Sequence, residues 1–320
     1  MKILIGSGIP GFLDRGMASL SQLMNTKNHV RHIPMVAALL MATITAGAQD
    51  LEDFVGSYTG ENGKGFMQPL ADAFGANMNS GLYHSAKIDS GFQLYIGVVT
   101  TTALIADNQK TFTATTEGLF DPETTADAPT IFGAVEGTTV EGVAGTTYNF
   151  PGGFDLNILP LAIPQLHIGN LFGTEATFRY IAVDLGDNFG KLNVFGWGVR
   201  HSISQYFNRA SVDIAVGYFQ ETFDVGDIVE AKSSLIGIQA SKDVGVVTFF
   251  GGLGFEDASL DISYEYDDGE TVETIAFDLE GSNSVRFTAG LTLRLGVIRI
   301  NTNINLADQT VFAAGLGFQF

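Results

Sequence analysis

The sequence predicts an all-β fold: a transmembrane antiparallel β-barrel of twelve strands with a short N-terminal helical plug. Three observations carry that prediction. The C-terminal third alternates with a period of two, the body holds no apolar run of the ~18 residues a membrane helix needs, and the composition is poor in charge (16%) but rich in Gly (39) and Phe (25). From Val285, every second residue (Val285, Phe287, Ala289, Leu291, Leu293, Leu295) is apolar, against Ser284, Arg286, Thr288, Gly290, Thr292 and Arg294. The alternation restarts after Gly296-Val297 with Ile298, Ile300, Thr302, Ile304 and Leu306, and after Asp308-Gln309 with Phe312, Ala314, Leu316, Phe318 and Phe320. Period two means strand, one residue set per face. Strands of ~9–11 residues with short turns match a tilted crossing of a bilayer.

The chain ends on Phe320, within the outward apolar set. This resembles the terminal-Phe signal of bacterial outer-membrane barrels and implies that the outer-membrane assembly machinery reads the last strand. A soluble sandwich also alternates, but its strands average ~5–6 residues, and an edge strand ending Phe-Gln-Phe would invite aggregation.

Composition narrows the function classes. With no cysteine, disulfides, thiol nucleophiles, thiolate metal sites and a lipoprotein anchor are excluded. Residues 1–48 hold four Lys/Arg and one Asp, so the remainder carries 12 basic and 34 acidic residues, a net −22. Such a surface repels nucleic acid.

Residues 1–48 read as leader and signal peptide. Lys27 and Arg31 precede an apolar run from Ile33 to Ile44, and Ala46-Gly47-Ala48 sets cleavage between Ala48 and Gln49. Translation from Met24 would give an ordinary signal; a start at Met1 gives a long leader. Residues 49–80 read as the plug. Phe66, Met67, Leu70 and Phe74 fall at helical spacing, and a lone amphipathic helix of this length needs a surface to pack on.

The barrel is expected from Gly81 to Phe320. Nine strands count back from Phe320 to Leu166, and three more are read at Leu82–Ile88, Phe92–Val98 and Lys110–Thr116. The total becomes fourteen if Phe154–Pro160 and part of the preceding loop add a pair. Residues 117–153 and 256–283 read as long external loops. The second holds nine acidic residues from Glu256 to Asp278 and reads as a hairpin on Asp268-Gly269. Within it Asp267, Asp268 and Glu270 form a candidate Ca²⁺ set, though no liganding-loop pattern is present and a solvated acidic face is the plainer reading.

Two blocks, Gly65-Phe-Met-Gln-Pro-Leu-Ala-Asp-Ala-Phe to Lys87 and Gly196-Trp-Gly-Val-Arg-His-Ser-Ile-Ser-Gln-Tyr206, resemble an uncharacterised family of outer-membrane barrels from Bacteroidota. The resemblance implies a place in the outer membrane and a bilayer around the wall. In layout only, a plug helix before the first strand is similar to the FadL-type fatty acid and hydrocarbon transporters; their hatch motif is not found here. That likeness implies a small hydrophobic molecule as partner.

No catalytic constellation stands out, and no cofactor is expected. His84, His167 and His201 are isolated in sequence, and His84-Ser85 are strand neighbours pointing apart. The inward sets hold Arg179, Asp213, Arg286, Arg294 and Arg299. These line a solute path or hold the plug. The chain is thus read as a non-enzymatic barrel that takes up small hydrophobic molecules passively, which requires an apolar pocket beside Phe66 and Phe74. The alternative is a structural or docking barrel with a filled lumen, acting through its acidic loops.

Overall fold

The computed structural model describes residues 60–320, apart from 89–90, 119, 185–189, 208–210, 227 and 268–271, and the side chains of 264–275. The plug helix, α1, is Gly60–Met78. The strands are β1 (Gln93–Leu104), β2 (Thr111–Thr115), β3 (Thr125–Pro129), β4 (Thr138–Glu141), β5 (Thr147–Phe150), β6 (Ile158–Leu171), β7 (Thr174–Asp184), β8 (Lys191–Ser202), β9 (Asp213–Val225), β10 (Val229–Val244), β11 (Val247–Asp267), β12 (Val272–Glu280), β13 (Val285–Leu295), β14 (Ile298–Leu306) and β15 (Val311–Gln319).

Ten of these close into an antiparallel barrel: β1, β6 to β11 and β13 to β15, with β10–β11 and β1–β15 completing the ring. Strand β12 pairs only with the far half of β11, from Ser259↔Glu280 to Asp267↔Val272. The expected count of twelve is therefore corrected to ten in the wall. Nine lie from β6 onward, and only β1 precedes them. Two expected strands lie elsewhere. Lys110–Thr116 becomes β2, which pairs with β3 outside the barrel. Its Thr111, Thr113 and Thr115 alternate with a single aromatic, Phe112, so it has no apolar face for lipid. Residues 81–88 form no strand; Leu82, Tyr83, Ala86 and Ile88 are all buried, because this stretch runs inside the lumen where every side meets wall. The wall thus begins at Gln93 and not at Gly81. Conversely β6 runs from Ile158 through Pro160 and Pro164, in a stretch whose prolines argue against a strand.

At one end of the barrel the connections are short, as at Phe172-Gly173, Gly245-Val246 and Gly296-Val297. Here Phe92 (73% exposed), Phe172 (87%), Tyr206 (69%), Phe207 (61%) and Phe320 (67%) form an aromatic rim. At the other end, residues 111–150 build two hairpins, β2–β3 and β4–β5, which reach α1 through Ile131 N–H to Phe66 O (3.1 Å) and Asn62 Nδ2 to Thr115 O (2.7 Å).

Parity holds along the wall. On β13 and β14 the outward Phe287, Leu291, Leu295, Ile300 and Leu306 are exposed, while the inward Arg286, Thr292, Asn301, Asn303 and Asn305 are buried. Nine residues rise about 30 Å along a strand, or about 23 Å along the barrel axis at a ~40° tilt, close to the apolar band of outer-membrane barrels. Among the described residues no helix is long and apolar enough to cross a membrane.

One stretch of the ring is unpaired. The β6–β7 ladder ends at Gln165↔Arg179, although β6 continues to Ile158 against β1 and β7 to Asp184 against β8. Leu94 exchanges hydrogen bonds with Phe320 of the β15 side, so even-numbered β1 residues face β15 and odd-numbered ones face β6. By the same alternation, the backbone of Pro160, Ala162 and Pro164 faces β7. Two of these three are prolines with no N–H to donate. The loop-end third of the wall therefore carries a seam between β6 and β7.

Candidate functional site: the filled lumen and the wall seam

Helix α1 enters the lumen from the loop end. Its last turns are buried on every side: Ala71, Ala73, Phe74, Gly75, Ala76, Asn77 and Met78. A single buried stripe of Phe66, Leu70 and Phe74 therefore understates the packing. Phe66 (0% exposed), Met67 (1%) and Phe74 (8%) are buried, but Leu70 is half-exposed. Phe74 meets Phe223 of β9 edge-on at 4.4 Å. Gly75 lies so close to β11 that an added Cβ would stand 2.4 Å from Ala258 Cβ.

Below α1 the chain descends as an extended thread from Asn79 to Ile88. It is gripped mainly through its backbone carbonyls, by arginines on the wall. Arg179 Nη1 donates to Met78 O (2.9 Å) and Nη2 to Ser80 O (2.7 Å). Arg286 Nη2 donates to Ala76 O (3.0 Å), and its Nη1 to Asn79 O (2.8 Å) and Ser80 Oγ. Lower down, Arg200 donates to Ser85 O, and Thr292 Oγ1 to His84 O (2.6 Å). Lys87 reaches Asp243 at 3.6 Å near the turn end. The thread thus crosses most of the barrel's height.

Each gripping arginine is neutralised within the wall itself: Arg179 by Glu221 (2.9 Å), Arg286 by Glu256 (2.8 Å), and Arg200 by Glu175. The arginines are at most 2% exposed. Burying a guanidinium is costly without a counter-charge and hydrogen bonding; thread and glutamates together supply both, with Arg286 Nε alone of the three arginines' nitrogens left without a partner. Beneath this tier Tyr83 packs with Phe219 (6.5 Å) and Phe250 (5.9 Å). His84 of the thread stacks near Tyr95 (4.6 Å) and meets His167 edge-on at 5.4 Å. His167 Nδ1 lies 2.8 Å from Thr177 Oγ1 and 3.1 Å from Glu175.

Of the five charged residues picked by parity, Arg179 and Arg286 meet around Met78–Ser80. The others lie apart, towards the turn end. Arg294 pairs with Asp243 (2.8 Å), Arg299 donates to Gln319 Oε1 (2.9 Å), and Asp213 opens β9. Asp268 and Glu270 lie outside the described residues, as does the side chain of Asp267. So do Ala48 and Gln49. Phe320 pairs with Leu94, its N–H 2.9 Å from Leu94 O. Arg200, Glu175 and Glu221 were missed, although each sits on an inward set where a buried charge needs a partner. His84 and His167, isolated in sequence, are brought together by the thread.

Above the arginine tier the lumen is apolar. Leu159, Leu161 and Ile163 of β6 and Leu192 and Val194 of β8 are buried, and the inward Ile181 and Val183 of β7 are half-buried. This apolar tier flanks the seam on both sides.

Among solved structures, the chain is similar to a loop-deletion mutant of OmpT, an outer membrane protein of Vibrio cholerae (10% identity, 72% of this chain and 99% of that one, TM-score 0.27). It is similar also to the toluene transporter TbuX of Ralstonia pickettii (10% identity, 78% and 94%, TM-score 0.23), and to Ail, the attachment invasion locus protein of Yersinia pestis (13%, 72% and 97%, TM-score 0.22). Comparison with curated proteins gave no match. Residues 26–320 match a single family throughout, and the chain belongs to that family, the family of unknown function DUF6588.

Proposed function

We propose that this chain is a β-barrel of the bacterial outer membrane, sealed along its axis, that passes small hydrophobic molecules sideways between its lumen and the lipid. The seam between β6 and β7 carries this reading. Unpaired backbone facing lipid costs several kcal/mol per group, and irregular backbone at membrane depth is tolerated where it borders a cavity. The seam starts beside the outward Tyr180 and Phe195, which are 60% and 45% exposed, and it opens onto the apolar upper tier. The arginine-clamped thread closes the other route, straight down the axis. Phe66 and Phe74 are packed tightly, so α1 has to shift for a ligand to sit beside them.

In this reading the short turns and Phe320 face the periplasm, the assembly machinery reads Phe320, and the mature chain begins at Gln49. Cells with an intact outer membrane exclude hydrophobic dyes that fluoresce in phospholipid. Expression of this protein should speed dye entry, while the purified barrel in a planar bilayer should pass no steady ion current. Dye entry no faster than in cells lacking the protein would overturn the proposal.

The structural or docking reading is favoured by the dense packing around Phe66 and by a cleft of about 330 Å³ at the loop end, lined among others by Asp224, Glu230, Asp261 and Asp278. It predicts a silent dye assay together with loss of function when those four carboxylates are neutralised.

A further inference from the structure

We infer that the seam leads to a binding site for small apolar molecules that carry one hydrogen-bond donor, such as a hydroxyl. The inference rests on the seam being a lateral path, and it goes on to name what the path accepts. Its centre is Asn77, on the last turn of α1 and 0% exposed. The Asn77 amide nitrogen donates to Leu159 O at 2.8 Å, tying α1 to β6, the strand that forms one lip of the seam. A carbonyl oxygen only accepts, so this bond fixes which way the amide is turned. Its other end, Oδ1, is therefore an acceptor, and it is buried without a hydrogen-bond partner.

The wall near Leu159 is apolar. The inward face of β6 here is Leu159, Leu161 and Ile163, and across the seam are Ile181 and Val183. Arg179, on the first closed rung below, commits four of its five N–H donors to Gln165, Glu221, Met78 O and Ser80 O. An acceptor left unmet in apolar surroundings is expensive. A molecule that brings a donor recovers that cost, and a plain hydrocarbon of equal size does not. One such bond corresponds to a preference of about tenfold.

The test uses the full-length protein in lipid nanodiscs with a photoactivatable diazirine analogue of 1-decanol. Peptide mapping should find the label on residues 159–163 and 181–183. Unlabelled 1-decanol should compete about tenfold better than n-decane or decyl methyl ether, which lack a donor. Asn77→Leu should bring that ratio to about one, and Asn77→Gln should restore part of it. Should Asn77→Leu fail to fold, the ratio and the map in the unaltered protein decide alone. Equal competition by all three compounds, or label confined to the outer surface, would overturn the inference. A preference retained in folded Asn77→Leu would also overturn it. Binding with the predicted preference but without dye entry into cells would leave the site standing and remove the transport reading. Dye entry without the preference would do the reverse.

Discussion

At the residue scale, the lumen is organised by three arginines, each serving two masters: a glutamate of the wall and the carbonyls of the thread. Removing one partner of such a buried pair leaves an uncompensated charge, at about 3–5 kcal/mol. Arg286→Met strands Glu256, beside which it sits at 2.8 Å, so it should lower barrel stability by about that amount in urea titrations. The double variant Arg286→Met/Glu256→Met should recover most of the loss; equal losses in both would contradict the clamp. Parity in the sequence was enough to put Arg179 and Arg286 inside. It could not say what they hold, because their acceptors are main-chain carbonyls about a hundred and two hundred residues away. The same gap changes an expectation about substitution. Outward Leu293→Arg should cost about 2–4 kcal/mol if near the midplane, and an inward arginine at Thr292 ought to be mild if the lumen held water. Thr292 is 1% exposed and holds His84 O. Thr292→Arg is therefore expected to destabilise as much as Leu293→Arg, as measured by the shift in unfolding midpoint.

At the scale of elements, legibility followed the asymmetry of the surroundings. Strands β7 to β11 and β13 to β15 have an exposed apolar face on one side and the packed lumen on the other, and that difference is written as period two. Residues 81–88 have wall all round, so Leu82, His84, Ala86 and Ile88 alternate with nothing to read them against. The second half of β6 was legible at Leu166 and Ile168, but its first half was hidden by Pro160 and Pro164, which are tolerated because their nitrogens face the unpaired seam. Helix α1 was visible from its spacing, but its depth was not. Small residues mark that depth, and Gly75 lies directly against Ala258 of β11. Gly75→Val should lift the last turns of α1 off β11, costing about 1–3 kcal/mol as overpacking does. Limited proteolysis between Gly60 and Ser80 should become faster while the barrel stays folded. Unchanged protection would show that α1 is not seated against Ala258 as described.

At the scale of the whole molecule, the barrel is closed twice and open once. Helix α1 and the loop hairpins cover one end, the clamped thread fills the middle, and among the described residues the wall lapses beside the apolar upper tier. In the proposed reading the charged tier rejects hydrophobic solutes and the thread blocks polar ones, so the seam is the path left. Closing it chemically tests this most directly. Extending the β6–β7 register beyond Gln165↔Arg179 sets Ala162 opposite Ala182, both on the outer face. In a double variant, Ala162→Cys/Ala182→Cys, the two thiols are joined by oxidation or by a short bis-maleimide. The account predicts that bridged protein admits hydrophobic dye no faster than cells without the barrel, and that reducing the disulfide restores entry. Bridged protein that admits dye as fast as the unbridged variant would contradict it.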